Sequence, residues 1–462
     1  MQLTRMRSNF NENWLVLTLT GLCFVVFALS GCASYGVIKN APLNAAESAE
    51  SYSIRSFAEK WRSGDIELML AFSGGGTRAA AFSYGVLKEL RDTGVVIEGR
   101  SGRLLDEVDY ISSVSGGSFT SAYYGLYGDQ IFDDFEKVFL RSNVQKTLIR
   151  RVLNPLKWFS KIGRTEKAIG YYEESVFHGA TFGDMKRKGG PLILINATDL
   201  AYGARFSFVQ EYFDLLCSDL SSYPVARAVT ASSAVPVLFN PVVVENYQHC
   251  KEKMPDWLTA AEKRASKNPE LALMVDDVKS YFRKEKRQYA HFVDGGITDN
   301  LGLRTIYENI ELEGGPKMIH EKLNLKPPRR FAVIIVDAFT DPQPEMDATN
   351  KQPSMAETIS AMTNVQIQRY NTATLELMKQ SITRWAKELS TPERTVTPYF
   401  IHISFKDIQD AKTREFFYQI PTSFSLSDEQ VDRLIAAGRE LLRNNADFQQ
   451  FLTDLDVSLG TP

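Results

Sequence analysis

The chain has 462 residues, of which 44% are hydrophobic and 24% charged, and its formal net charge at pH 7 is −3. This is the composition of an ordinary globular protein, and the chain is long enough to bury a large core. The near balance of charges excludes a general electrostatic affinity for nucleic acid or for an anionic membrane.

The N-terminus has the pattern of an export signal. Arg5 and Arg7 supply positive charge ahead of a largely apolar run at residues 14–29. This run is shorter than the roughly 20 residues that a transmembrane helix needs, and it suits the hydrophobic region of a signal peptide. The alternative is an uncleaved membrane anchor, in which Cys32 would be an apolar cysteine without a special role.

The apolar run ends in Leu-Ser-Gly-Cys at residues 29–32, which resembles the lipobox of bacterial lipoproteins. That resemblance implies cleavage before Cys32 and lipidation of this cysteine, whose several acyl chains would give lasting membrane attachment. Residues 1–31 are then a lipoprotein signal peptide, and residues 32–65 are a polar tether. Ala33 stands where an aspartate would mark retention at the inner membrane, so we expect an exported bacterial lipoprotein anchored in the outer membrane.

Residues 66–72 begin the first strand–turn–helix unit of the chain. They form a compact apolar run, which suits a strand buried on both faces of a parallel sheet. Ser73, Gly74, Gly75 and Gly76 follow, and a helical pattern of apolar residues comes next. Such a turn directs several backbone N–H groups at one point, with the helix dipole behind them. It suits a bound phosphate or an oxyanion formed in acyl transfer. A turn that serves packing alone is the alternative.

A second unit of this kind follows at residues 108–117. Residues 108–112 predict a short strand, and the sequence Ser-Val-Ser-Gly-Gly comes directly after it. This is close to the G-x-S-x-G nucleophile elbow, in which small residues let a tight turn present the serine Oγ at a helix N-terminus. Ser115 is the candidate nucleophile, Gly117 supports the turn, and Ser113 takes the place of the first glycine. A serine- and glycine-rich loop is the alternative for an isolated match, but two such units in succession favour catalysis.

A carboxylate ends a third apolar segment. Asp294 is followed by Gly295 and Gly296, which would fix it as a general base beside Ser115. Ordinary turn chemistry is the alternative for this motif taken alone. Five histidines are present, but none lies in a loop context that suits a Ser–His–Asp triad. His291 is the nearest to the carboxylate, and strand alternation predicts that it faces away from Asp294.

Taken together, these motifs resemble those of the patatin-like phospholipases. Residues 74–76 with Arg78 match the family's G-G-G-x-R loop, Ser115 matches its elbow serine, and Asp294 begins its D-G-G motif. The resemblance covers residues 66–303, with the motifs in family order.

Two further stretches look like the same family, and two positions depart from it. The similar stretches are residues 196–199, which end an apolar strand, and residues 228–241. The departures are Ala79 and Ser113, which stand where the family usually has glycine. Each adds a Cβ at a tight turn and so affects the backbone geometry expected there.

Several segments outside the motifs predict further elements of the same sheet. The apolar runs at residues 191–197, 331–336 and 399–405 are typical of buried strands. Ser427 begins the capping box Ser-Asp-Glu-Gln, which predicts a C-terminal helix.

The resemblance implies a three-layer α/β/α patatin-like fold with a mostly parallel central sheet and helical insertions. We expect the catalytic domain at residues 66–310, with insertions at 132–172 and 246–290. Residues 311–462 then complete the sheet and add helices. The 132–172 insertion combines basic and aromatic residues, so it is either a surface for lipid headgroups or a solvated amphipathic cap.

The function that the resemblance implies is that of a membrane-anchored serine lipid acyl hydrolase of the phospholipase A type. Asp294 takes the proton of Ser115 as the hydroxyl attacks an ester, and N–H groups of residues 74–76 hold the oxyanion. Arg78 belongs to this loop, where it either supports the backbone or approaches a substrate phosphate. We expect a phospholipid or another acyl-ester lipid as substrate and, through Cys32, the membrane as partner. No nucleic acid, metal or other cofactor is expected, and the oligomeric state stays open.

Two other functions remain open at this point. The first is a general esterase or thioesterase for soluble acyl compounds. The second is a catalytically idle lipoprotein used for binding or assembly, which the replacements at Ala79 and Ser113 and the large insertions permit. The presence of the serine, the glycine loop and the aspartate together argues against an idle site.

The cysteine content agrees with export. Cys217 and Cys250 remain after the signal peptide and the lipidated cysteine are set aside. In an oxidising compartment they either pair, closing a loop around residues 228–241, or are two unrelated buried thiols.

Overall fold

The computed structural model shows helices on a central, mostly parallel β-sheet, which confirms the predicted fold class. It describes residues 35–43, 51–58, 64–143, 163–236, 238–250, 254–340 and 345–455. The predicted signal peptide and Cys32 lie outside the described residues, as does the middle of the predicted 132–172 insertion.

Eight of the described strands form the central sheet. In chain order the strands are Ala41–Pro42 (β1), Ile66–Phe72 (β2), Gly94–Ile97 (β3), Arg100–Arg103 (β4), Val108–Val114 (β5), Leu192–Asp199 (β6), Ala204–Ser207 (β7), Ser218–Asp219 (β8), Val242–Glu245 (β9), Tyr289–Asp294 (β10), Arg330–Asp337 (β11) and Thr397–Ser404 (β12). The sheet order is β12-β11-β2-β5-β6-β10-β9, with β7 paired to β6. Strands β12 to β6 are mutually parallel, whereas β10 runs antiparallel to both β6 and β9.

Helices connect and flank these strands. Those described are Ile54–Ala58 (α1), Gly76–Asp92 (α2), Gly116–Tyr127 (α3), Ile131–Phe135 (α4), Arg164–Ser175 (α5), Phe182–Lys188 (α6), Gln210–Leu215 (α7), Val225–Ser232 (α8), Asp256–Ala265 (α9), Pro269–Lys279 (α10), Gly296–Asp299 (α11), Leu303–Glu313 (α12), Pro316–Leu323 (α13), Met355–Leu389 (α14), Ala411–Tyr418 (α15), Asp428–Arg443 (α16) and Ala446–Asp454 (α17). Helices α2, α3 and α16 form one packed group, and α12, α13 and α14 form another.

Burial on both faces explains why the central strands are apolar along their length. Glu67 in β2 and Arg330 in β11 are the only residues of these two strands that are not buried. The runs at 66–72 and 331–336 are therefore strands of one sheet, as predicted, and the structure places them side by side. The run at 191–197 lies in β6, whose residues are all buried.

The predicted motifs meet at one edge of the sheet. β2 leads into the glycine loop before α2, and β5 leads through Ser115 into α3. β10 ends at Asp294, which pairs with Ala197, the neighbour of Asn196. Asn196 in turn pairs with Val114, directly before the elbow serine. The antiparallel course of β10 thus delivers the carboxylate at the height of Ser115.

The described parts of residues 32–65, the segment predicted to be a tether, contact the domain. Asn40 is buried, and its amide donates to the Glu245 carbonyl (2.9 Å) and accepts from the Glu245 N–H (3.0 Å). Tyr52 is fully buried, and its hydroxyl accepts from the Ile193 N–H (2.7 Å). These polar side chains satisfy edge-strand and core backbone groups, so the segment is docked on the domain.

In the later part of the chain, helices and strands lie at positions where the sequence predicted them. The 246–290 insertion contains α9 and α10, and β11 and β12 extend the sheet beyond β2. Ser427 begins α16 with a capping box, because its hydroxyl accepts from the Gln430 N–H and the Gln430 side chain accepts in return.

Helix α14 is the element that the sequence least anticipated. Its 35 residues span about 52 Å, whereas the 8 residues of the following strand β12 span about 26 Å. The second half of the helix buries Ile382 and Trp385, while the first half exposes Met355, Ile359 and Met362. None of the described helices combines the length and the apolar character that a membrane span requires.

A disulfide joins Cys217 to Cys250, with Cα atoms 5.7 Å apart. The first of the two alternatives for these cysteines therefore holds. The closed loop contains α8 and its last residue, Ser232, which contacts the site described next.

Candidate active site

Ser115 occupies a strained turn between β5 and α3. Its backbone angles are φ 50° and ψ −117°, a conformation that a residue with a side chain rarely adopts. Such a conformation costs on the order of 1–3 kcal/mol and persists only where the surroundings hold it. Here the Ser115 N–H donates to the hydroxyl of Ser232 at 2.8 Å. The turn therefore has the geometry of a nucleophile elbow.

Two glycines let the elbow rest directly on the glycine loop. A Cβ on Gly116 would overlap the carbonyl of Gly76, and one on Gly117 would lie 2.8 Å from the carbonyl oxygen of Ser73. Side chains at either position would separate the elbow from the loop. Ser113, which stands where the family usually has glycine, is fully buried, and its hydroxyl donates to the Leu194 carbonyl (3.3 Å) in the neighbouring strand.

Asp294 is the hydrogen-bond partner of the elbow serine. Ser115 Oγ donates to Asp294 Oδ2 at 2.9 Å, and the Gly296 N–H donates to Oδ1 at 2.8 Å. Burial raises the pKa of the Asp294 carboxyl to about 6, although both hydrogen bonds lower it. The side chain is thus a carboxylate at neutral pH and a stronger base than an exposed aspartate.

The glycine loop leaves two backbone donors available. The Gly74 N–H donates to the Asn300 carbonyl, and the Thr77 N–H donates to the Ser423 carbonyl, each at 2.9 Å. Within the described ranges, the N–H groups of Gly75 and Gly76 meet no acceptor. Both residues have positive φ, 138° and 59°, which glycine adopts without strain. Of the three glycines predicted to hold an oxyanion, Gly74 therefore has its N–H already occupied.

Arg78 braces this loop from behind. The buried guanidinium donates from Nε to the Ala338 carbonyl (2.9 Å), from Nη1 to the Ile420 carbonyl, and from Nη2 to Thr422 Oγ1 (3.1 Å). Burial lowers its pKa to about 10. Because all three nitrogens donate to the protein, the arrangement suits loop support and not an approach to a substrate phosphate.

A buried polar network lies beneath the elbow, and the sequence did not assign roles to its members. Asn196 donates to Ser112 Oγ at 2.9 Å and to the Ser113 carbonyl at 3.1 Å. Its own carbonyl accepts from Ser232 Oγ at 2.6 Å, so Ser232 connects β6 to the Ser115 backbone. Both residues lie in stretches noted only for their family resemblance, which is the one sequence signal that pointed to them.

The histidines lie elsewhere in the fold. His291 is exposed on β10, on the side away from the buried Asp294, as strand alternation predicts. His320 bonds to Glu67 near the start of β2 (3.1 Å), and His402 lies 3.5 Å from Asp337. In the part of the chain that the structure describes, no cluster of histidine, cysteine and carboxylate side chains could hold a metal ion.

The sequence model of a family described as patatin-like phospholipase matches residues 70–307, which is more than half of the chain. Among solved structures, human GIVD cytosolic phospholipase A2 is similar, with 13% identity and a TM-score of 0.41. The match covers 92% of this chain and 66% of the human enzyme, so the chain spans less than two thirds of that protein.

A bacterial structure is similar at the same low level. VipD from Legionella pneumophila shows 12% identity and a TM-score of 0.29, with 85% of this chain and 67% of VipD covered. A search of curated protein sequences finds no match. On the evidence of the family match and of the motifs within it, the chain belongs to the patatin-like phospholipase family.

Proposed function

We propose that this protein is a serine acyl hydrolase for lipid esters, of the phospholipase A type, with Ser115 as nucleophile and Asp294 as general base. The observation that carries the proposal is the 2.9 Å hydrogen bond between these two side chains at a strained elbow. Membership of the family supports an acyl-ester lipid as substrate.

The reaction begins when Ser115 Oγ attacks the ester carbonyl carbon and its proton passes to Asp294 Oδ2. The N–H groups of Gly75 and Gly76 receive the oxyanion, and each such donor contributes roughly 3 kcal/mol to the transition state. The intermediate expels the alcohol, which takes the proton from Asp294, and an acyl-enzyme remains. Water then attacks this ester while Asp294 accepts its proton. The second intermediate expels Ser115 Oγ, which takes the proton back from Asp294, and the fatty acid leaves.

Membrane attachment through Cys32 is part of the proposal. The lipobox resemblance supports it, and so does the disulfide between Cys217 and Cys250, because disulfides persist in oxidising compartments outside the cytosol. Five positions after Cys32, the Val37 carbonyl accepts from Arg227 Nη2 at 2.7 Å, so an acyl group on Cys32 would hold the catalytic domain close to its lipid substrate. The outer membrane remains the proposed location.

Labelling with a fluorophosphonate serine probe tests the catalytic proposal. In detergent, the wild-type protein should label, Ser115→Ala should not, and Asp294→Asn should label at least about a hundredfold more slowly, because the serine loses its base. Asp219→Asn is the matched control, since Asp219 is buried to a similar degree but bonds to the turn at Ser221 and Ser222. It should label like wild type. Absence of wild-type labelling in detergent and in lipid would favour the idle binding lipoprotein instead.

A further inference from the structure

A segment near the C-terminus is bound to the glycine loop, although it lies far outside the matched family region. Residues 420–424 follow α15, and the family match ends at residue 307. The Thr77 N–H donates to the Ser423 carbonyl at 2.9 Å, and the Arg78 guanidinium donates to Ile420 and Thr422. These three hydrogen bonds fix the segment beside the two free N–H donors of the loop.

The absence of a side chain at Gly76 allows the C-terminal segment to approach the loop closely. A Cβ at this position would lie 2.5 Å from the Ser423 carbonyl oxygen and 3.1 Å from the Ser423 nitrogen. Any side chain at Gly76 would displace Ser423 from the loop. The glycine therefore serves a close approach by the C-terminal segment as well as the backbone conformation of the loop.

Phe424 follows directly, and its ring contacts two other aromatic rings, those of Phe119 and Phe239. Its ring centre lies 6.4 Å from that of Phe119 and 6.2 Å from that of Phe239, both in edge-to-face arrangements. Phe119 lies one helical turn after Ser115 in α3, and it is fully buried. Phe239 follows the stretch in which the Ala234 carbonyl accepts the Asp294 N–H.

We propose that Phe424 and Phe239 form the wall that contacts the acyl chain of the substrate, and that Phe424 sets the acyl-chain-length preference. This inference rests on the proposed hydrolase function. An acyl carbonyl placed between Ser115 Oγ and the free N–H groups must direct its chain past the residues that flank them. Both phenylalanines are half-buried, so each keeps apolar surface for such a chain.

The chemistry of the segment fits an apolar ligand. Residues 420–426 read Ile-Pro-Thr-Ser-Phe-Ser-Leu and contain no charged side chain. A methylene chain laid against them would desolvate no charge, and each buried methylene would strengthen binding about fourfold. Contact with the rings therefore increases with chain length until their surface is covered, which is how a wall of this kind favours long acyl groups.

The test compares kcat/KM for p-nitrophenyl dodecanoate and p-nitrophenyl butyrate, using the full chain purified in one detergent. We expect Phe424→Ala to lower the ratio of kcat/KM for the dodecanoate to kcat/KM for the butyrate by about tenfold. This change corresponds to the loss of one or two methylene contacts. Phe239→Ala should lower it similarly, and the double variant by less than the product, because the two rings are in contact. Phe424→Leu, which keeps apolar bulk and carries the test should the alanine variant unfold, should lower it by less than Phe424→Ala.

Phe416→Ala is the matched control. Phe416 is a half-buried phenylalanine of α15 in the same C-terminal region, and it packs on Phe417 and under the Arg433 guanidinium. The long-to-short ratio of kcat/KM for Phe416→Ala should stay within about twofold of the wild-type ratio, because the substitution lies away from the ligand. Equal losses in Phe416→Ala and Phe424→Ala would overturn the inference, since they would indicate general loosening.

The remaining outcomes separate this inference from the proposed function. If wild type hydrolyses both esters and Phe424→Ala and Phe424→Leu leave the ratio unchanged, the acyl wall is wrong and the hydrolase proposal stands. If wild type, like Ser115→Ala, hydrolyses neither ester, the hydrolase proposal is wrong and the acyl wall falls with it.

Discussion

Ionisation of Asp294 serves the proposed catalysis but destabilises the folded protein. A base must be ionised, yet the carboxyl is buried, and burial raises its pKa from 3.8 to about 6. Between these two pH values the folded protein holds a proton that the unfolded chain has released. The free energy of unfolding therefore falls as the pH rises from about 4 to about 6, by an amount on the order of 3 kcal/mol.

We predict that activity and stability of the wild-type protein change in opposite directions over this range. The value of kcat/KM should rise about tenfold per pH unit below about pH 6 and level off above about pH 7, as Asp294 loses its proton. Urea unfolding should show Asp294→Asn to be the more stable protein at pH 7.5, by about 1–3 kcal/mol, because the amide carries no buried charge. The difference should vanish near pH 4.

Two outcomes of these measurements would contradict the prediction. A flat rate profile between pH 5 and pH 7 would show that Asp294 is not the group that titrates. A variant less stable than wild type at pH 7.5 would show that the loss of the Ser115 hydrogen bond outweighs the buried charge.

At the level of elements, the sequence predicted those parts whose physics is local. A strand buried on both faces must be apolar along its length, so β2, β6 and β11 could be recognised directly. The glycine loop and the elbow are also local, because tight turns restrict residue type at neighbouring positions. Whether the candidate site residues act as predicted stays a prediction, but the structure brings Ser115 and Asp294 into contact.

What the sequence did not predict depends on contacts between distant residues. Ser232 bonds to a backbone N–H 117 residues away, and Ile420 accepts from an arginine 342 residues away. The Ile420 acceptor is a backbone carbonyl, so no particular side chain is required and no motif marks it. Helix α14 was not predicted for another reason, because its first half exposes Met355 and Met362 and so lacks the pattern of a core-facing helix.

The C-terminal end of α8 supports the elbow, and a comparison of two adjacent serines can test this role. Ser232 Oγ accepts the Ser115 N–H, whereas Ser233 Oγ donates to the Val229 carbonyl within its own helix. We predict that Ser232→Ala lowers kcat by about ten- to a hundredfold with little change in KM, because the strained turn loses its acceptor. It should also destabilise the fold by about 1–3 kcal/mol, since the N–H is left buried and unpaired.

Ser233→Ala is the control in the neighbouring position. It removes an equally buried hydroxyl, but the Val229 carbonyl is a helix acceptor and the elbow is untouched. Steady-state kinetics on one chromogenic ester should place Ser233→Ala within about threefold of wild type. Equal effects of the two substitutions would argue that α8 acts through general packing and not through the Ser115 backbone.

Over the whole molecule, the site is assembled from regions far apart in the chain. The glycine loop, the elbow and Asp294 lie within the family match, but β11 and β12 complete the sheet and residues 420–424 reach the loop from beyond it. The N-terminal segment is also docked, because the Leu43 N–H donates to the Cys217 carbonyl at 2.8 Å. Both ends of the described chain therefore pack on the domain that carries the site, and residues of the C-terminal part contact the glycine loop itself.

The disulfide is the covalent part of this assembly, and its contribution can be measured. It closes a loop between residues 33 positions apart, which contains α8 and Ser232. Loop-closure entropy predicts that such a link stabilises the folded state by about 4 kcal/mol. In oxidising buffer, the Cys217→Ser, Cys250→Ser double variant should therefore unfold at lower urea concentration than wild type. Reductant should lower the urea midpoint of the wild-type protein to that of the variant, and it should leave the midpoint of the variant unchanged. Coincident unfolding curves before reduction would mean that the docked N-terminal segment and β9 hold this region without the link.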